Sequence, residues 1–242
     1  DSDGVASSEE NDSSEWQPVR DAGADHGDTG DDGGRVRGKD FALDKVGDLL
    51  ELGERLDFGQ VVASAHRKFS RLYVMLGDFT KAVSALRDAV ATYEHMGEST
   101  YVGDVCCEMA DLYLYAHQIT RMSGALDRTS CLQAFFAGDD AWLSYQMSRA
   151  RSHEGRAIMV KVRAKMCLGD DKSAVELAEF ARTIFQEMGD KREEGRALMA
   201  VSICQEMSGK HDEAAASAEA AAALFRGVHD KVLQARALIH VG

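Results

Sequence analysis

The phrase Gly/Ala-Arg-Ala recurs at 40-residue intervals, in GRAIM (155–159), GRALM (195–199) and ARALI (235–239), and sets Arg156, Arg196 and Arg236 in a ladder. Arginine presents a fixed fork of donors that matches a carboxylate, and methionine beside it (Met159, Met199) offers adaptable apolar contact. The chemistry open to such a ladder is recognition of a ligand that carries acidic groups between apolar anchors. A competing assignment uses the arginine stems to cover apolar surface, or pairs their heads with Glu154, Glu194 and Glu206 on neighbouring turns.

Other reactive side chains are scattered. The eight histidines form no i, i+4 pair with a further His, Cys or carboxylate in a recognisable ligand motif, and no GxSxG, P-loop or Rossmann fingerprint is present. The expectation is a non-catalytic chain without cofactor or metal. Five cysteines (Cys106, Cys107, Cys131, Cys167, Cys204) show neither CxxC nor zinc-type Cys/His spacing. An odd number with two adjacent argues against a secreted disulfide framework and favours a reducing intracellular compartment such as the cytoplasm.

Charge is distributed unevenly. Of the net −13, residues 1–34 account for −10, from eleven Asp/Glu against the single Arg20. This segment is Asp, Ser and Gly with few apolar side chains, so the reading is an acidic disordered tail. Its DAGADHGDTGDDGG run lacks the D-x-D-x-D-G spacing and closing Glu of a calcium loop. The tail holds one aromatic anchor, Glu15-Trp16-Gln17, and is a candidate for intramolecular docking onto the rest of the chain. Nucleic acid is not an expected partner, because phosphate binding needs a clustered positive field. No run approaches the roughly 18 apolar residues of a membrane span.

The elements that must position the ladder are helices. The only proline is Pro18, and the 208 residues after Gly34 show no sustained two-residue alternation. They show internal repetition instead, which fixes the fold class. QEMGDKREEGRALMAV (186–201) matches RGVHDKVLQARALIHV (226–241), and SHEGRAIM (152–159) matches REEGRALM (192–199), both at an offset of 40. Turn residues pair 20 apart as Gly77/Gly97, Gln118/Gly138, Gly169/Gly189 and Gly209/His229. The unit is a helix, a turn, a second helix and a turn. The middle unit carries an extra 11 residues, about three helical turns, which predicts one long helix over 139–168 with Trp142, Tyr145 and Met147 projecting as a second contact surface. Ala82/Ala89, Ala174/Ala181 and Ala214/Ala221 are read as close-approach points between paired helices. Tyr93, Phe185 and Phe225, each four residues before a closing turn, are read as ring plugs at the seams.

The expected organisation is an acidic tail at 1–34, a partial leading repeat or cap at 35–56 with a helix between Gly33 and Gly53, and an array of about four repeats at 57–242. The chain starts at Asp1 without Met and stops in mid-pattern at Gly242, so a continuation beyond it is expected.

The small-residue turns, paired helices and alanine positions resemble the tetratricopeptide repeat. The 40-residue period and the phrase GDK-x-x-x-G/A-R-A-L resemble the long repeats of Pins/LGN-type G-protein modulators. The resemblance implies an all-α, right-handed superhelical solenoid of antiparallel helix pairs. Its concave groove, lined by the first helix of each pair, would hold a partner peptide or protein. Carried over position by position, the groove residues are Arg156, Arg196 and Arg236, then Arg67, Glu108, Met159, Met199 and Ile239, then Arg71, Leu112, Arg163 and Ile203, then Met75, Tyr115, Met166 and Met207. Val160, Ala200 and His240 stand where the family's backbone-clamping Asn usually lies. Two functions follow as expectations: a protein-binding scaffold or adaptor using that groove, or a structural subunit of a larger assembly using its convex face and the 139–168 extension.

Overall fold

A computed structural model describes residues 32–124 and 128–240, with side-chain surroundings from Asp40 onward. Among the described residues ten helices follow one another: α1 (Asp32–Arg55), α2 (Gly59–Leu76), α3 (Phe79–His95), α4 (Ser99–Met122), α5 (Arg128–Ser148), α6 (Arg151–Leu168), α7 (Asp171–Met188), α8 (Lys191–Met207), α9 (His211–Gly227) and α10 (Lys231–Ile239). There is no strand among the described residues.

A left-handed residue between helices sets the period. Asp57, Gly77, Gly97, Gly124, Arg149, Gly169, Gly189, Gly209 and His229 all have positive φ. Such a residue ends a helix by turning its last N–H groups back onto the carbonyls of the final turn. At every such turn except Gly124 the residue after it precedes or caps the start of the next helix. At Asp78, Asp170, Asp190 and Asp230 the carboxylate caps that start by accepting the backbone N–H three positions on.

Helices pair antiparallel as α2/α3, α4/α5, α6/α7 and α8/α9, with α1 packed before them and α10 after. The pairs stack as a right-handed superhelical solenoid. First helices form the inner layer, in which α4 packs against α6 and α6 against α8.

Three expectations are corrected. Gln118 and Gly138 lie inside α4 and α5, and the turns fall at Gly124 and Arg149. No single helix covers 139–168: α5 ends at Ser148 and α6 starts at Arg151. The extra length is instead divided between α4, with 24 residues, and α5, with 21, against 17 or 18 in α6 to α9. The sequence hid the turn because its left-handed residue is an arginine, φ 58°, where glycine is the usual signal. Finally, Gly33 and Gly53 lie within α1, and the turn that follows is at Asp57. The acidic stretch is outside the described residues as far as position 31.

Counted back from Arg149, the middle repeat rejoins the others. Tyr145 sits four residues before that turn, as Tyr93, Phe185 and Phe225 do before theirs, and all four rings are at most 1% exposed. Ala134 and Ala141 take the places of Ala174 and Ala181, all with no exposed surface. Three of the four rings lie on a glycine of the partner helix. A Cβ at Gly103 would come within 2.5 Å of the Tyr145 ring, one at Gly155 within 2.6 Å of Phe185, and one at Gly195 within 2.7 Å of Phe225.

A left-handed non-glycine residue costs roughly 1–2 kcal/mol. Arg149 is exposed, so Arg149→Gly removes that strain without emptying the core. It is expected to raise the urea unfolding midpoint, whereas Gly169→Arg, the converse change one turn later, lowers it.

Candidate partner-binding face

Helical charge separates by layer. From their sequences α2, α4, α6, α8 and α10 carry +3, −2, +4, 0 and +2, together +7. The outer helices α3, α5, α7 and α9 carry 0, −1, −2 and −2, together −5. The inner layer is thus positive within an acidic chain.

The inner-layer arginines divide into two groups. At the α2–α4 end they are matched by carboxylates of the chain itself. Arg67 reaches Glu108 at 2.6 and 3.3 Å, and Arg71 reaches the same carboxylate at 3.2 Å. Burial opposes the Arg67 charge, yet its hydrogen bonds to Glu108 and Tyr93 prevail and raise its pKa. Arg163 on α6 pairs with Asp111 on α4.

Toward α10 the balance changes. Arg156 and Arg236 are exposed, and neither forms an ion pair among the described residues. Arg196 between them is half-buried and bonds Glu193 at 3.0 Å. Both members of that pair shift toward neutrality. Burial, then the Arg236 charge, lowers the Arg196 pKa, while burial, then Asp190, raises that of Glu193 against the pull of Arg192 and Arg156. Arg156 and Arg236 thus stand without an ion-pair partner among the described residues, on either side of the Arg196–Glu193 pair. Apolar side chains share this face at helical spacing: Ile203 is half-buried, Met207 is 55% exposed and Ile239 is 76% exposed.

Two groove methionines sit deeper than the sequence reading has them. Met199 is buried against Phe225 and Leu233, because it faces the α9 seam. Met159 is partly buried between the core clusters of α6, α7 and α8.

Trp142 and Tyr145 do not form a projecting surface. Tyr145 is fully buried as the ring plug of its pair, and its hydroxyl donates to Asp104 at 2.7 Å. Trp142 and Phe135 hold the buried Lys161 ammonium, 4.9 and 5.1 Å from their ring centroids, and Asp139 pairs with the same ammonium. What α5 does expose is a different stripe, Leu132, Phe136, Leu143 and Met147, spaced four, seven and four residues apart. Of these four only Met147 belongs to the surface expected from the sequence, although the helical periodicity was readable.

One cluster escaped sequence reasoning altogether. His117, Cys131 and Cys167 come from three helices, at separations that no linear motif records. No described helix is long and apolar enough to cross a membrane.

No protein-family model matches the sequence, and no curated protein matches it. Solved structures do. BtubC (BKLC) from P. vanneervenii is similar with a TM-score of 0.67 at 14% identity, over 84% of this chain and 81% of that one. A kinesin light chain with TPR-like repeats from Podosopora anserina gives 0.60 at 16% identity, over 81% and 90%. Apo RapI gives 0.64 at 12% identity, over 79% of this chain and 52% of RapI, so the chain spans about half of RapI's length. With antiparallel pairs in series, ring-plugged seams and an inner layer of first helices, the chain has the tetratricopeptide-like helical-repeat fold.

Proposed function

We propose that this chain is a non-catalytic protein-binding scaffold whose inner face takes a partner segment with carboxylates between apolar side chains. The supporting observation is the α6–α8–α10 surface, where Arg156 and Arg236 flank a half-buried Arg196 beside Met207 and Ile239. A carboxylate arriving there gains charge-assisted, fork-shaped hydrogen bonds without first breaking an internal pair at Arg156 or Arg236. At the α2–α4 end a ligand must compete with Glu108 and Asp111, so that end contributes less. A Rap protein of similar fold, 13% identical with a TM-score of 0.56, is known complexed with Competence and Sporulation Factor. It gives a precedent for a complex formed by a protein of similar fold. The chain's own Glu15-Trp16-Gln17 has the same acidic-aromatic chemistry and is a candidate occupant in cis.

Selection from an unbiased peptide-display library on the full chain tests the reading. Enrichment of Asp/Glu interleaved with Leu, Phe or Trp is expected, while enrichment of basic sequences contradicts it. Asp111→Asn releases Arg163 and is expected to strengthen binding of the selected peptides two- to five-fold, about the worth of one exposed ion pair. Unchanged or weakened binding would place the ligand elsewhere.

A second reading, a structural subunit joined through its outer face, is favoured by the exposed α5 stripe of Leu132, Phe136, Leu143 and Met147. Phe136→Asp with Met147→Asp abolishes association under that reading and leaves it intact under the first.

A further inference from the structure

His117, Cys131 and Cys167 meet where the array departs from its period. His117 stands 20 residues after the turn glycine Gly97, the distance at which the other repeats turn. Here α4 runs on, which keeps the imidazole inside the packing at 6% exposure. Cys131, in the first turn of α5, has no exposed surface, and Cys167, in the last turn of α6, is exposed. Their ligand atoms all lie within 4.8 Å of one another. Arg128 donates to the Leu168 carbonyl at 3.0 Å, tying the start of α5 to the end of α6 and so fixing Cys131 beside Cys167.

Two thiols and an imidazole are a donor set for a thiophilic ion and a poor one for calcium or magnesium, which take oxygen. Zinc binds S at about 2.3 Å and N at about 2.0–2.1 Å in a tetrahedron, which separates the ligand atoms by roughly 3.5–3.8 Å. That spacing falls inside the 4.8 Å span. Charge also suits the site: Zn2+ with two thiolates and a neutral imidazole sums to zero, so a half-buried site retains no net ion.

We propose that His117, Cys131 and Cys167 bind one Zn2+ ion, with the fourth position open to solvent on the Cys167 side. Each thiol gives its proton to solvent as it forms its Zn–S bond, and the imidazole binds through a neutral nitrogen, so affinity falls as pH falls. The ion would clamp α4, α5 and α6 together at the irregular repeat. Metal availability would thereby set how firmly the two halves of the inner face are joined.

The test uses the full chain, reduced and stripped of metal, titrated with Co2+ and then Zn2+. Expected are one Co2+ per chain with thiolate-to-cobalt charge transfer and tetrahedral d–d bands, displacement by Zn2+, and Zn2+ protection of Cys167 from a thiol reagent. Cys167→Ser alters an exposed side chain and keeps the fold. It is expected to weaken Zn2+ binding by at least the ~100-fold that loss of an outer-shell partner can reach. Cys106→Ser, which lies outside the cluster, leaves binding unchanged. An octahedral cobalt spectrum without charge transfer overturns the proposal. So do Cys167 reactivity indifferent to Zn2+, equal Zn2+ binding by Cys167→Ser, and a Cys131–Cys167 disulfide in place of ion binding.

Discussion

Phe185→Ala is expected to cost about 3–5 kcal/mol of stability. The ring is 1% exposed, packs with Ile158, Ala181, Ile184 and Ala197, and lies against Gly155. Truncation leaves a void that neither rigid helix can close, because Gly155 has no side chain to enter it. Repeats in a solenoid are supported only by their neighbours, so the loss is concentrated in α6, α7 and α8. Urea unfolding followed by far-ultraviolet circular dichroism checks this, and a loss below about 1 kcal/mol would show that the ring is not a structural plug. Gly155→Val reports on the same contact from the other side. Its Cβ would approach the ring to 2.6 Å, so overpacking of roughly 1–3 kcal/mol is expected.

Legibility of the fold depended on glycine. Gly77, Gly97, Gly169, Gly189 and Gly209 announce their turns, and the alanine and ring positions counted from them are buried as read. The middle repeat failed at Arg149, because an arginine in a left-handed conformation carries no compositional signal. That one missed turn displaced everything referred to it. Tyr145 was assigned to the surface although it is the plug of its pair, and of the exposed stripe only Met147 was named, without Leu132, Phe136 and Leu143. The arginine ladder was legible because α6, α8 and α10 keep a strict 40-residue offset. Its electrostatics were not, since Glu108 and Asp111 reach their arginines from a neighbouring helix across 37 to 52 residues of chain. The same holds for His117, Cys131 and Cys167, which only the lengthened α4 and α5 bring together.

Charge reversal at the unmatched ends of the ladder carries the second large effect. Arg156→Glu with Arg236→Glu turns two exposed cations into anions, on either side of the Arg196–Glu193 pair. Exposed ion pairs are worth roughly 0.2–1 kcal/mol each, and charge-assisted bonds shielded by a bound ligand about 1.5–3 kcal/mol. Two lost attractions replaced by two repulsions exceed 1.4 kcal/mol together, a factor of at least about ten in affinity. Wild-type binding should also weaken with added salt, as interactions between partly exposed charges do. Arg196 is the wrong residue to reverse, because a carboxylate there would sit half-buried against Glu193 and endanger the fold.

The most direct measurement of the central claim is the affinity of one display-selected acidic-apolar peptide for three full-length proteins: wild type, Arg156→Glu/Arg236→Glu, and Phe136→Asp/Met147→Asp. Far-ultraviolet circular dichroism of each confirms an intact fold. Binding through the inner face predicts a loss of tenfold or more in the arginine variant and wild-type affinity in the α5 variant. Unchanged binding by the arginine variant, with loss in the α5 variant, would contradict the account and assign the partner to the outer face.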